Sequence, residues 1–251
     1  MKIIDLSVPI EESPSEVEKV EIKRISHTET ADMFCAVFGC SKEDLPEGMG
    51  WAVDHICLST HIGTHVDAPW HYFPESEGKK ARTIDEMPLE WFYGNGVILD
   101  FRYKADGELI TVEDIEQALE KINYELKEGD IVLIMTGADK YWGKPEYFSK
   151  GCGLDRESTL WILDHGVKVI GIDAWTLDIP FAFQRQIFEK TKNASILWSA
   201  HRAGIEREYC HIEKLANLDK VPKPYGFKFA CFPVKIKGAS AGWCRAVAII
   251  E

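Results

Sequence analysis

The sequence has no run of eighteen apolar residues, no Cys-x-x-Cys pair, no low-complexity stretch, no internal repeat and no excess of basic residues. Each absence removes a class of explanation. Without a long apolar run there is no candidate membrane-spanning helix, and Met1-Lys2-Ile3-Ile4-Asp5 meets an acid before an export-type apolar segment develops. The seven cysteines are scattered and odd in number, which fits reduced thiols in a cytoplasmic protein better than a disulfide framework. With 29 Lys and Arg against 41 Asp and Glu, the net charge of −12 argues against a nucleic-acid backbone or an anionic membrane as partner. A small molecule is the remaining kind of partner, and a bound dication would permit even an anionic one.

The 251 residues suffice for a substantial core, and with no linker in sight they read as one domain, 1–251. Lys2 to Val8 reads as a strand, and Val20 to Ile25 alternates like a half-exposed one. Ala31 to Gly50 is irregular, a candidate flap, and Val53 to Ser59 resumes as a strand. Val97 to Asp100, Ile131 to Met135 and Val167 to Ile172 are apolar on both faces, as central strands of a parallel sheet are. Between them, Thr111-Val112-Glu113-Asp114 and Asp155 have the side-chain oxygens of helix starts. Phe181 to Lys192 predicts a further helix, and Phe227 to Ile236 with Arg245 to Ile250 predict closing strands. The alternation of strand and helix gives an α/β fold class with a mixed sheet packed against helices.

Chemistry concentrates in Ser59-Thr60-His61-Ile62-Gly63-Thr64-His65-Val66-Asp67-Ala68-Pro69-Trp70-His71. A helix would put His61 and His65 on one face but turn Asp67 away, and Gly63 and Pro69 both oppose a helix. A straight strand would hold His61 and His71 about 33 Å apart, at about 3.3 Å per residue, which no single ion spans. The stretch must therefore leave a strand and curl, with Gly63 permitting the bend and Pro69 fixing its far side. Imidazoles with a carboxylate suit zinc, manganese or iron better than calcium or magnesium.

Further ligands must come from a distant segment, and His201 with Glu213 are the candidates. His27, His55, His165 and His211 compete with them. Asp173 ends an apolar strand, a frequent place for a functional acid and equally for a structural cap. Gly238-Ala239-Ser240-Ala241-Gly242 matches the G-x-S-x-G of a nucleophile elbow, but no His follows Ser240 and its flanks read as a hairpin, so it is refused as a nucleophile. Trp51, Trp70, Phe73, Trp175, Phe181 and Phe183 are available to line a pocket for a flat substrate.

The pattern His61-x-Gly63-Thr64-His65-x-Asp67-x-Pro69-x-His71 resembles the signature of the metal-dependent cyclase-like hydrolases, the group containing bacterial kynurenine formamidase and isatin hydrolase. The resemblance extends to Asp5-Leu6-Ser7, Thr136-Gly137, Gly171-Ile172-Asp173, Phe232-Pro233-Val234-Lys235-Ile236 and Arg245-Ala246-Val247-Ala248. It implies a swivelling β/β/α-like fold, a dimer or tetramer of like chains, and a site of one or two divalent ions, zinc or manganese. His61, His65, Asp67, His201 and Glu213 are the ligands it implies, with His71 as catalytic acid/base. The expected reaction is hydrolysis of a carboxylic amide or a lactone by a metal-activated water. A lyase or cyclising reaction and a purely structural ion are the alternatives.

Overall fold

The computed structural model describes residues 1–250. Nine strands among them form one curled mixed sheet: β1 (Lys2–Asp5), β2 (His65–Asp67), β3 (Tyr93–Asp100), β4 (Asp130–Met135), β5 (Val169–Ile172), β6 (Cys210–Glu213), β7 (Phe227–Ala230), β8 (Ala241–Trp243) and β9 (Val247–Ile250). Across the sheet they run β1-β9-β7-β3-β4-β5-β6-β2-β8. Neighbours from β3 to β6 are parallel, and the outer pairs are antiparallel.

The apolar runs fall at the centre of this sheet because both faces there are covered. Ile131, Leu133 and Met135 of β4 enter one apolar cluster, while Val132 and Ile134 enter the other. Helices α1 (Val112–Ile122) and α2 (Arg156–Asp164) cover the second face through Ile115, Leu119, Ile162 and Leu163. Thr111 caps α1, its hydroxyl accepting from the Asp114 N–H at 3.2 Å; Asp155 caps α2, accepting from the Ser158 N–H at 2.9 Å. The first face is filled from the outer strands, with Ile4, Val66, Phe229 and Ala248 joining Leu133. Fully burying a Val, Leu, Ile or Phe side chain of this kind contributes about 1.5–3 kcal/mol.

The chain divides into two compact units, Glu18–Ser59 and the remainder. In the smaller unit Glu21–Ile25 pairs antiparallel with Val53–Cys57. Ala31 to Gly50, expected to be an irregular flap, instead begins with a helix, Ala31–Phe38, ended by Gly39 at φ 67° and followed by two 3-10 turns. Phe34 anchors that helix internally, its ring 4.6 Å from Phe38 and 5.0 Å from Trp51.

The closing segments also differ from expectation. The strand predicted over Phe227 to Ile236 stops at Ala230, and Pro233, which lacks an N–H, follows shortly after. The Gly238–Gly242 turn is not the tip of a hairpin, because β8 pairs with β2 while β9 pairs with β1 and β7. No helix among the described residues is long and apolar enough to cross a membrane.

Candidate metal centre

The His61–His71 stretch curls as its composition requires. Gly63 takes φ +65°, a left-handed conformation that disfavours any side chain, and an added Cβ there would meet Ile10 Cγ1 at 3.1 Å. The chain then forms β2, which places His65 and Asp67 on one face, two residues apart. Pro69 opens a four-residue helix, Pro69–Tyr72, that turns His71 back. The His61 and His71 rings end 4.1 Å apart between centroids.

The second half of the cluster comes from β6. Because β6 lies antiparallel to β2 in a register that sets His211 opposite Asp67 and Glu213 opposite His65, two His-x-acid pairs meet across one strand gap. His211 Nε2 is 2.9 Å from Asp67 Oδ2 and 3.3 Å from Glu213 Oε1. His65 Nδ1 lies 2.8 Å from the Gly63 carbonyl. Donation there leaves Nε2 bare, 3.3 Å from Asp67 Oδ1 and 3.7 Å from Glu213 Oε2. His61 Nδ1 is 2.8 Å from Asp67 Oδ1.

His201, on a short helix (Ser199–Arg202), is oriented by Asp178. The Asp178 carboxylate lies 2.5 Å from His201 Nδ1 and accepts the Ala200 N–H at 2.7 Å, which leaves His201 Nε2 3.7 Å from Glu213 Oε1. Glu213 itself accepts the Leu177 N–H at 2.9 Å. The ligand-type atoms of Asp67, His201, His211 and Glu213 thus lie within 4.8 Å of one another, as do those of His61, Asp67 and His71.

Whether this set suits a cation is decided by what its atoms lack. His65 Nε2, both Asp67 carboxylate oxygens and His211 Nε2 are buried with no hydrogen-bond partner among the described residues, although they stand close together. Buried polar atoms of this kind normally cost about 1–3 kcal/mol each. A convergent group of bare nitrogens and carboxylate oxygens is the donor set of a divalent transition metal, and the residues fit one.

The electrostatics point the same way. Burial works to raise both carboxylates, yet the surrounding imidazoles hold Asp67 well below the usual range and Glu213 down to about 2. Burial lowers His211, but the Asp67 and Glu213 carboxylates beside it outweigh that and lift the group to about 9. His61 is also raised, burial being overcome by Asp67. The pocket is therefore built for positive charge, supplied by protons or by a cation. His71 differs: burial dominates and pushes it down to about 3, so its imidazole is neutral at neutral pH.

All the residues singled out in the sequence for the ion, His61, His65, Asp67, His201 and Glu213, come together here beside His71. Of the competitors, His211 joins them, whereas His27, His55 and His165 do not belong to the cluster. The signal that finds His211 is the repeated His-x-acid spacing, His65-x-Asp67 and His211-x-Glu213.

Asp173 takes its other reading, as a cap: its carboxylate accepts the Thr136 N–H and hydroxyl at 2.8 and 2.6 Å and the Gly137 N–H at 2.8 Å. Ser240 is no elbow, yet its hydroxyl lies 3.1 Å from His61 Nε2, a His earlier in the chain. The aromatics beside the imidazoles include Trp198, stacked on His201 at 4.4 Å, and Tyr72, stacked on His211 at 5.0 Å. A cavity of about 510 Å³ bordered by Ile98, Arg102, Met135 and Leu218 contains none of these residues.

Known proteins share this architecture. Residues 4–179 match the family model Cyclase, described as "Putative cyclase". The chain belongs to this family. Kynurenine formamidase of Erythrobacter litoralis is 30% identical over 206 residues, covering 81% of this chain and 79% of that protein. Kynurenine formamidase of Geobacillus thermodenitrificans is 27% identical over 195 residues, covering 77% of this chain and 78% of that protein. Isatin hydrolase A from Ralstonia solanacearum superposes with a TM-score of 0.77 at 22% identity, covering 100% of this chain and 92% of that one, a likeness of fold.

Proposed function

We propose that this cyclase-family enzyme is a metal-dependent hydrolase of small carboxylic amides, an N-formyl aromatic amine or a cyclic amide being the substrate class, with lactones as close analogues. The observation that carries this reading is the register-matched pairing of His65 and Asp67 with His211 and Glu213, with the His71 ring 4.1 Å from that of His61. The formamidase relatives and the fold shared with isatin hydrolase support the choice of amide chemistry.

His61, His65, Asp67, His201 and Glu213 are the proposed ligands, with His211 added by its place between Asp67 and Glu213. Two overlapping groups that share Asp67 accommodate one ion or two, zinc or manganese. When bound, a divalent ion polarises a carbonyl oxygen and brings the pKa of water from about 15.7 to about 7.

The chain's own groups do the rest. His71 takes a proton from the attacking water and returns it to the leaving nitrogen, which requires it to enter the cycle neutral. Asp178 holds His201 with Nε2 inward, the Gly63 carbonyl does the same for His65, and Ser240 steadies His61 from behind. Residues 1–251 act as one hydrolase domain, in a cytoplasmic homodimer or homotetramer.

His71→Ala tests the assignment. Turnover of an N-formyl aromatic amine should fall about 10²–10⁴-fold while elemental analysis finds wild-type metal content. Loss of metal in step with activity would make His71 a ligand, and solvent deuterium on a product carbon would point to a lyase.

A further inference from the structure

The residue after Glu213 is a buried lysine with an unusual backbone. Lys214 takes φ +59°, a conformation rarely adopted by a residue with a long side chain, and its side chain is only 2% exposed. Its ammonium lies 2.5 Å from Glu16 Oε2, a carboxylate equally buried, and donates to the His61 carbonyl at 2.8 Å. Glu16 in turn accepts the Gly63 N–H through Oε1 at 2.8 Å. The Lys214 carbonyl accepts the Thr64 hydroxyl at 2.6 Å, and that hydroxyl accepts the Val8 N–H at 2.9 Å. One residue therefore grips the His61–Thr64 bend at both ends, by its ammonium at His61 and by its carbonyl at Thr64.

A buried ion pair is a poor source of stability, because desolvation offsets most of the attraction. Backbone strain in a non-glycine residue persists where the surroundings enforce it. Both features occur at the one position that joins the ligand-bearing ends of β6 and the bend, and neither serves the apolar core.

We propose that Lys214 and Glu16 are positioning residues that fix the bend carrying His61 at its working distance from Glu213 before any ion arrives. The inference rests on the metal-site reading above and adds a clamp to it. Strand pairing places His65 and Asp67 opposite β6, whereas the backbone of His61 lies outside that ladder, four residues before β2. The clamp adds to the side-chain contacts of His61 with Asp67 and Ser240 a hold on two backbone groups of the bend, the His61 carbonyl and the Gly63 N–H.

The test compares wild type, Lys214→Met, and the double variant Lys214→Met/Glu16→Gln, which strands no buried charge and keeps an acceptor for Gly63. Ile162→Val, in the apolar core of α2, serves as a control for lost stability. Zn²⁺ affinity is read by competition with a chromophoric chelator, and Gly63 amide exchange is read in the metal-free protein.

Both clamp variants should bind Zn²⁺ about 10–100-fold more weakly, the range for groups that orient ligands. They should also exchange the Gly63 amide faster at a Tm where Ile162→Val changes neither. If Lys214→Met does not fold, the double variant carries the test. Wild-type affinity and exchange in a folded double variant, or losses matched by Ile162→Val, would overturn the clamp. If wild type binds no Zn²⁺, the metal-site reading fails instead, while Gly63 exchange still reports whether the bend is held.

Discussion

Three imidazoles of the centre converge on Asp67: His61 and His65 approach one of its oxygens, and His211 approaches the other. Both oxygens are buried with no hydrogen bond among the described residues, so their negative charge is answered by the surrounding imidazoles or by an ion bound between them. Asp67→Asn removes that charge and offers an amide N–H where a lone pair is needed. The variant should remain folded and lose stoichiometric metal, which elemental analysis after gel filtration would detect; full retention of the ion would exclude Asp67 as a ligand. At this scale the first loop is readable because its ligands are contiguous and Gly63 and Pro69 announce the bend. Ser240 is not, since its motif points to an elbow and a later His, whereas folding brings it to an earlier one. His211 is legible only as a spacing, because sequence carries no strand register.

Two contacts between elements set how β2 and the central strands meet. Tyr72, fully enclosed, donates its hydroxyl to the Asp67 carbonyl at 3.2 Å and accepts the His211 N–H at 3.0 Å, bridging β2 and β6 from the short helix. Tyr72→Phe strands the His211 N–H and should cost about 1–3 kcal/mol in denaturant unfolding. No change in the unfolding midpoint would remove the bridge from the account.

Asp173 plays the equivalent part between β4 and β5, holding Thr136 and Gly137. Burial pushes its carboxyl up to about 7, against those hydrogen bonds. A carboxyl raised above its unfolded value near 3.8 binds a proton that the unfolded chain has released. Its contribution is therefore greatest below pH 4 and is lost as pH rises toward 7, by up to about 4 kcal/mol for a shift of about three units. Asp173→Asn should flatten that part of the stability–pH curve; an unchanged slope between pH 4 and 7 would show that Asp173 stays ionised. Of the parallel strands, β3, β4 and β5 are readable from their apolar runs, whereas β6 and the three-residue β2 and β8 are not, being too short and too polar to announce themselves. The helix at Ala31–Phe38 is not legible in the sequence because no charged face marks its period.

For the whole molecule, two apolar clusters on either face of a nine-stranded sheet supply a core that owes nothing to an ion. Chelation should consequently abolish hydrolysis while far-UV circular dichroism stays native, unlike a structural zinc site, where removal unfolds the chain. Rebinding should raise stability by about 2.7 kcal/mol at an ion concentration 100 times Kd. Unfolding on chelation, in parallel with lost activity, would favour a structural ion.

The central claim, that this buried set of imidazoles and carboxylates holds a divalent ion needed for amide hydrolysis, is most directly tested by titrating Zn²⁺ or Mn²⁺ into chelator-stripped protein while bound metal and cleavage of an N-formyl aromatic amine or a cyclic amide are followed together. The account predicts that activity rises linearly with bound ion and saturates at one or two per chain. Full turnover in the stripped protein, or saturation with metal and no cleavage of either substrate class, would contradict it.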